Sequence, residues 1–483
     1  MGGLVRGASM FLGIAVLLQG LVVEHCMATT WHVSPKGDDK NPGTGEAPFA
    51  TLQRAETAVA PGDEVVLGDG TYHLGRMGLI VQKSGLPDKP ITVRAQNPGR
   101  VILMNYEEAK GFERYKGNLW RTRLDRSPTM ACEDGDPLHH RWEHKFDGPD
   151  DPRIQRGFWQ WFDGYFYVWP WEDDDPNAHR LTVSFNSIIT ITGTCCHRTW
   201  EGLVFEHCYY GMKWDSPQAR HHVVRNCLFK NGCEGLGGAN DTLIEHCTFY
   251  NLGPSKWEHG IYDGCENTVI RYNHFEKIAG GALHLYRMPR AITACYNTIG
   301  PPMTKRVSFP GQVGIYAWGR GGHQIHHNLI YGGHRIGISV NAPDCAISNN
   351  TVVGTTMWGI AVYKGQPGNS VTNNIVMGAG GLLGLFQTAP KLLDQNVYAG
   401  EGKWSWLDHE IPTLEKLRQA SGMEAHSVVT VKPLFVNPDG LDFRLRTDWQ
   451  SPNAGAFEDG KAWPERPGVS FEWRKSVTDL HAR

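Results

Sequence analysis

Charge of either sign is scarce in this chain: Asp, Glu, Lys and Arg make up 20% of 483 residues and nearly cancel, to a formal net charge of −3. No global field therefore points to nucleic acid or to an anionic membrane surface, and any recognition by charge must be local. The N-terminal apolar run, Phe11 to Val23, is shorter than the about 20 residues that cross a bilayer. It follows Arg6 and precedes Cys26-Met27-Ala28, which places small residues where a signal peptidase cuts, so residues 1–28 read as a leader removed on export. Glu24-His25 before Cys26 do not fit a lipoprotein box. No two cysteines have CxxC spacing, which removes the usual basis for a thiolate zinc site. Gly237-Gly238 lacks the Lys-Ser/Thr and the following helix of a phosphate loop. Long amphipathic helices are missing too, in keeping with 57 glycines and 28 prolines.

What the chain does have is a repeat. Segments of one form recur every 19 to 31 residues: VFEHCYY (204–210), VVRNCLF (223–229), LIEHCTF (243–249), VIRYNHF (269–275), TACYNTI (293–299), QIHHNLI (324–330), AISNNTV (346–352) and SVTNNIV (370–376). Their fifth position reads Cys208, Cys227, Cys247, Asn273, Asn297, Asn328, Asn350 and Asn374. A second set lies between them: YGMKW (210–214), EGLGG (234–238), HGIYD (259–263), GALHL (281–285), VGIYA (313–317), IGISV (336–340) and WGIAV (358–362). Its central apolar residue steps by 22 to 25 residues from Met212 to Ile360, except for 32 between Leu283 and Ile315. Such a period means stacked units, none of which buries its apolar face alone. Short β-branched strands separated by Gly or Asn corners predict an all-β, parallel solenoid with alternate side chains in the bore. Asparagine tolerates a left-handed corner, and stacked asparagines can hydrogen-bond between coils. The three cysteines at the same corner are expected to be a ladder of free thiols.

The stretches WHVSPKGDDKNPGTGEAPFATLQRA (31–55), PGDEVVLGDGTYH (61–73) and KPITVRAQNPGRVIL (89–103), with the repeats after them, resemble the right-handed parallel β-helix of pectate-lyase-type proteins. The opening is similar to that of many secreted β-helix carbohydrate enzymes, among them alginate and chondroitin lyases and certain glycosidases. The likeness covers most of residues 30 to 456 and is specific for fold, weakly so for reaction. It implies an N-terminal cap and first coils over 29–103, with a capping helix from Thr51 to Ala60. Residues 104–200 interrupt the period and read as an inserted, aromatic-rich β-unit, either a packed core or a lobe that meets substrate. Its acidic run Glu172 to Asp175 could take calcium, although unspaced carboxylates are more often hydrated. Central coils occupy 201–390, and the pattern decays after Val376 into C-terminal coils, a helix from Ile411 to Ser421 and a cap or tail over 391–483.

In a solenoid, equivalent positions of successive coils form columns on one face. If the second motif lines a cleft, the residue after its apolar centre points outward, giving Lys213, Gly237, Tyr262, His284, Tyr316, Ser339 and Ala361. Three of these can move protons. Lys256, His259, Tyr286, Arg287, Arg290, Trp318, Arg320 and His323 fall around them, with the loop 300–312 at the same edge. Two chemistries fit. β-Elimination on a uronate-containing glycan needs a cation for the carboxylate, a base for the C5 proton and an acid for the leaving oxygen. Arg287, Arg290, Arg320 or Lys213 is the candidate cation, His284 or Tyr262 the base, and Tyr316 or Tyr262 the acid. Tyr–His pairs do this work in several lyases, whereas the β-helix alginate and chondroitin lyases that the opening resembles use a Lys and an Arg near a calcium ion, a pattern with no clean match here. Hydrolysis needs two carboxyls instead, from Asp215, Glu234, Asp241, Glu258 and Asp263; Asp215 and Asp263 would lie roughly 10 Å apart between backbones.

The pairs His139-His140, His221-His222 and His326-His327 are expected to be structural, because neighbours on a strand face opposite sides. The expectation is an exported polysaccharide lyase, with a glycoside hydrolase and a non-catalytic glycan-binding β-helix as alternatives. His284, Tyr262, Tyr316, Arg287, Arg320 and Asp263 are its catalytic candidates. Lys213, Lys256, His259, Tyr286, Arg290, Trp318 and His323 are its substrate-binding candidates. No motif requires a cofactor, Ca2+ stays open and no metal ligand is assigned. The expected partner is a polysaccharide or oligosaccharide, with no nucleic acid, no membrane insertion after leader removal and a monomeric state. The expected location is secreted or periplasmic.

Overall fold

Each repeat folds into three short strands, and like strands stack into three sheets of twelve strands each. The computed structural model describes residues 28–140, 147–262, 266–286, 290–307, 311–363, 366–431, 434–449, 454–457 and 461–473. The leader, Asp263 and Arg287 lie outside the described residues. The first sheet runs from Thr30–Val33 to Leu392–Asp394, the second from Gly70–His73 to Val428–Thr430 and the third from Leu79–Val81 to His409–Ile411. Pairing within these sheets is parallel up to a closing antiparallel pair, Lys403–Trp406 with His409–Ile411. The chain is thus a parallel β-helix. Among the described residues, no helix is long and apolar enough to cross a membrane.

Alternation along each strand sends every second side chain into the bore, where like residues meet like. Phe205, Phe229, Phe249 and Phe275 stack at centroid spacings of 4.6, 5.0 and 4.7 Å. At the corner between the first and second sheets, Asn273 N–H donates to Asn297 Oδ1 at 3.0 Å, and the step repeats to Asn328, Asn350, Asn374 and Asn396. The ladder ends on Ser427 Oγ, so regular coils continue well past Val376, where the motif fades only because its residue types change. The left-handed residue at this corner is the one before the asparagine: Tyr272, Tyr296, His327, Asn349, Asn373 and Gln395 all have φ between 53° and 61°. Asparagine is retained there for its two-sided amide, not for its backbone tolerance.

Cys208, Cys227 and Cys247 continue this corner as free, buried thiols. Among the described residues every cysteine is free. Replacing Asn328 by Ala would leave the backbone N–H of Asn297 and one of its two side-chain N–H groups without an acceptor in the bore, while the other still donates to Ile270 O. The expected loss is on the order of 3 kcal/mol, given about 1–3 kcal/mol per orphaned buried group. A urea midpoint that does not move would show the ladder to be redundant.

The capping helix spans Leu52–Ala58 behind the N-cap Thr51 and buries Leu52 and Ala55 over the bore. Its counterpart Leu414–Ser421 runs from the N-cap Thr413 to Gly422, left-handed at φ 70°, and buries Leu414 and Leu417. Both cover core that would otherwise face water. The inserted unit leaves the second sheet after Val101–Met104, and the coil resumes at Ile189–Ile191, ahead of the boundary read at residue 200. It holds two four-stranded antiparallel sheets around Phe112, Trp120, Trp159, Phe166 and Trp171. The unit packs on the second sheet: Thr182 Oγ1 meets His207 Nδ1 at 3.0 Å, and Cys132 Sγ reaches Asn231 O. The C-terminal segment returns along the same sheet, from Gly455 on Asn373 to Ser470 on Asn226 and Trp473 on Tyr250. With two tenants on the second sheet, the first and third sheets keep their outer faces open.

Candidate functional site

Parallel register lays out the third sheet's outward column: Lys213 opposite Gly237, Gly237 opposite Tyr262, then His284, Tyr316, Ser339 and Ala361. The residue before each outward one, Met212, Leu236, Ile261, Leu283 and Ile315, is fully buried in the bore. Trp358, Tyr363 and Phe386 pack over the far end, where Ser339 and Ala361 are buried. Tyr262, His284 and Tyr316 of the column therefore open into one cleft, Lys213 borders the hollow beside it, and Ser339 and Ala361 are covered. Gly237 has no side chain because a Cβ there would stand 2.6 Å from the ring of Tyr210.

The cleft encloses about 660 Å³ and is lined by Tyr262, His284 and Tyr316 together with Lys256, His259, Tyr286 and Trp318. Past Tyr210 and Tyr262 it meets a second hollow of about 390 Å³ bordered by Lys213, Asp215 and Arg320. The rings crowd His284: centroids of Tyr316, Tyr286, Tyr262 and Trp318 lie at 4.5, 5.2, 5.4 and 5.7 Å. Lys213 pairs with Asp215 at 2.7 Å, and Lys256 Nζ sits 4.5 Å over the exposed ring of Trp257.

Two histidines at the centre have tautomers that the backbone dictates. Gly281 N–H donates to His259 Nδ1 at 2.9 Å, so the ring proton of neutral His259 is on Nε2. Nε2 of His259 stands 2.8 Å from Nδ1 of His284 and donates to it. His284 consequently carries its own proton on Nε2, which has no hydrogen-bond partner among the described residues. Burial pushes His284 down to about 4 and holds His259 well below the usual histidine range, so both are neutral near pH 7. This corrects the reading of His284 as a base: in this arrangement it is an N–H donor. Tyr316 is pushed up to about 12 by burial and stays protonated. It can give a proton.

The carboxylates are withdrawn. Glu234 and Glu258 also border the cleft but are only 4% and 2% exposed. Glu234 Oε2 accepts from His259 N–H at 2.6 Å, and Glu258 Oε2 accepts from Ser255 N–H and Oγ–H. The sequence named both only as carboxyls for hydrolysis, and Tyr209, Tyr210 and Trp257, which also line the cleft, were not among the site residues expected from it. Tyr210, Glu234 and His259 each precede the glycine of the second motif, a pattern that could have found a second column.

Other candidates fall elsewhere. His323 is fully buried: its Nδ1 accepts from Ile292 N–H, and its Nε2 donates to Trp318 O at 2.8 Å, so it braces the strand end and does not line the cleft. Arg290 is exposed at the coil corner, its backbone paired between those of Glu266 and Gly321, and it does not line the cleft. Asp263 and Arg287 lie outside the described residues. The rings of His326 and His327 do meet, Nδ1 to Nδ1 at 2.8 Å, because His327 is left-handed and strand alternation stops at the corner. Among the described residues, the three-ligand cluster that could hold a metal ion is Glu133, Asp134 and His179, in the inserted unit.

A Chondroitinase B family profile matches residues 48–110. A curated relative, the uncharacterized protein YwoF of Bacillus subtilis (strain 168), is 43% identical over 72 residues, which is 15% of this chain and 15% of that protein. The chain therefore matches only a small part of that relative's length. The solved structure of XylC with xylose is similar at TM-score 0.58 and 13% identity, over 83% of this chain and 86% of that one. Pectate lyase Pel9A and a rhamnogalacturonan lyase each reach TM-score 0.50, at 15% and 14% identity, over 91% and 93% of this chain and 95% and 98% of theirs. At such identities the likeness is one of fold, and the fold they share with this chain is the parallel β-helix.

Proposed function

We propose that this chain is an exported carbohydrate-active enzyme that cleaves a uronate-containing polysaccharide by β-elimination in the cleft of the third sheet. One observation carries this reading. The side chains that face the cleft with part of their surface free are phenols, an imidazole, tryptophans and Lys256, whereas Glu234 and Glu258 are buried with oxygens committed to backbone N–H groups. A pair of glycosidase carboxyls must reach the sugar. Similarity to named lyases and to XylC, and the chondroitinase B segment, support a glycan as the ligand.

In this reading Lys213 and Arg320, in the adjoining hollow, set the uronate carboxylate at the end of the cleft that Tyr262 borders. Tyr262, as phenolate, takes the C5 proton. The Nε2–H of His284 is covered by the surrounding rings in the free protein; once the substrate displaces them, it donates to the carboxyl oxygen on which charge builds as the C5–H bond breaks. Tyr316 gives its proton to the glycosidic oxygen as the C4–O bond breaks, and solvent resets both phenols. Trp318 and Tyr286 offer flat apolar faces to the sugar rings.

A panel of glycans, followed in parallel for ultraviolet absorbance of an unsaturated product and for new reducing ends, tests this. Reducing ends with matching absorbance are expected. Reducing ends without absorbance would favour the second reading, hydrolysis by Glu234 and Glu258, which rests on these two carboxyls bordering one cleft. Binding without turnover of any glycan would leave a recognition module.

A further inference from the structure

The inserted unit has a polar site of its own, away from the cleft. Glu133 ends the strand Met130–Glu133, and Asp134 turns left-handed at φ 51° ahead of Gly135. His179 follows the 3-10 turn Pro176–Ala178 and leads into Leu181–Ser184, whose Leu181 pairs with Glu133. Two distant stretches of chain are thereby brought together. The Glu133 side chain is fully buried: Oε2 accepts from Trp171 N–H at 2.7 Å, but Oε1 has no hydrogen-bond partner. A buried carboxylate oxygen left without a donor is costly.

That oxygen looks toward His179 Nδ1, 4.0 Å away, and Asp134 Oδ2 lies 2.6 Å from the same nitrogen. One ligand atom from each of the three falls within 4.8 Å of the others. Across the ring, His179 Nε2 is 2.9 and 3.1 Å from the two carboxylate oxygens of Asp174. Without a cation both ring nitrogens donate, Nδ1–H to Asp134 and Nε2–H to Asp174; a cation would take the place of the Nδ1 proton while Asp174 keeps hold of Nε2–H, the arrangement that supports metal-bound histidines.

We infer that Glu133 Oε1, Asp134 Oδ2 and His179 Nδ1 form a binding site for a divalent cation of the zinc class, with Asp174 orienting the histidine. Zinc suits one imidazole and two carboxylates at close quarters, with a position left for water. Calcium prefers six to eight oxygens, which these three residues do not provide. The site's place indicates a bracing role. Next to it, Arg306 of the loop between coils pairs with both Asp136 and Glu172, and Asn251 of the second sheet donates to Asp136 at 3.0 Å. An ion joining the turn at 133–134 to His179 would tie together the two stretches through which the inserted unit grips the coil.

The test uses the full chain, stripped with a chelator and titrated with Zn2+, Ca2+ or Mg2+ in a calorimeter, with thermal melting alongside. The expected result is one Zn2+ per chain and a melting midpoint that rises with zinc concentration. Asp174→Asn should weaken binding about 10- to 100-fold, the usual cost of losing an outer partner of a metal-bound histidine. Glu133→Gln, which keeps the shape, should abolish stoichiometric binding while the circular dichroism stays that of the parent. If His179→Gln fails to fold, the half-exposed Asp174 still carries the test. The inference is overturned if the folded parent takes up no stoichiometric zinc, if Glu133→Gln and Asp174→Asn bind it as well as the parent, or if Ca2+ binds there in preference.

Discussion

His284→Ala is expected to lower turnover of a cleaved uronate glycan by about 10²–10³-fold, the scale for removing one preorganised donor at a site of developing charge. KM should change far less, because the aromatic walls and the cations of the neighbouring hollow remain. Tyr316→Phe removes the proton given to the leaving oxygen and is expected to cost about 10²–10⁴-fold. His259→Ala is the more instructive change. It touches the same chemistry only through His284, whose tautomer is then no longer dictated by Gly281 N–H and His259 Nε2–H. Turnover should fall and its pH profile should shift, and ring ¹⁵N shifts of His284 should show a mixture of tautomers in place of Nε2–H alone. Turnover by His284→Ala within a factor of a few of the parent would remove the cleft from consideration as the reacting site.

The second large effect is on stability. Among the described residues, four histidines are held furthest below the usual range: His222 is pushed down to about 3, His284 and His334 to about 4, and His259 well below it, in every case chiefly by burial. In the unfolded chain all four titrate near 6.5. Between about pH 6.5 and 4 the unfolded chain therefore binds protons that the folded one refuses. Stability must fall as pH is lowered through that window and is fully present above it. For a fully buried histidine such as His334 the contribution is on the order of 3 kcal/mol, from about 1.4 kcal/mol per pKa unit. His222 donates from Nε2 to Cys195 O, and His334 from Nε2 to Gly300 O, so glutamine can replace either donor. Urea midpoints at pH 7, 6, 5 and 4.5 should drop steeply for the parent and less steeply for His334→Gln. Midpoints that stay level over that range would show that these rings are hydrated or already charged.

The outward column and the bore could be read from spacing, because a parallel coil repeats its register every turn and equal positions must stack. Lys213, Tyr262, His284 and Tyr316 share a column for that reason, and Asn273 to Asn374 form a ladder for the same one. Spacing gave no access to contacts between coils that differ in sequence. His259 on His284 is one example, since their nitrogens meet between unequal positions of successive coils. His323 is another: its position beside the cleft motif looked like that of a binding residue, yet its ring is buried and spent on backbone groups.

Residue order alone was enough to specify a β-helix, the column that holds the proton-transfer groups and the helix that closes the N-terminal end, because these follow from periodicity and local capping. Only the folded chain decided that the second sheet is covered by the inserted unit and the returning tail, that His284 presents an N–H, and that Glu133 and His179 meet. Those outcomes depend on groups far apart in sequence, whose hydrogen bonds and burial exist only once the coils are stacked.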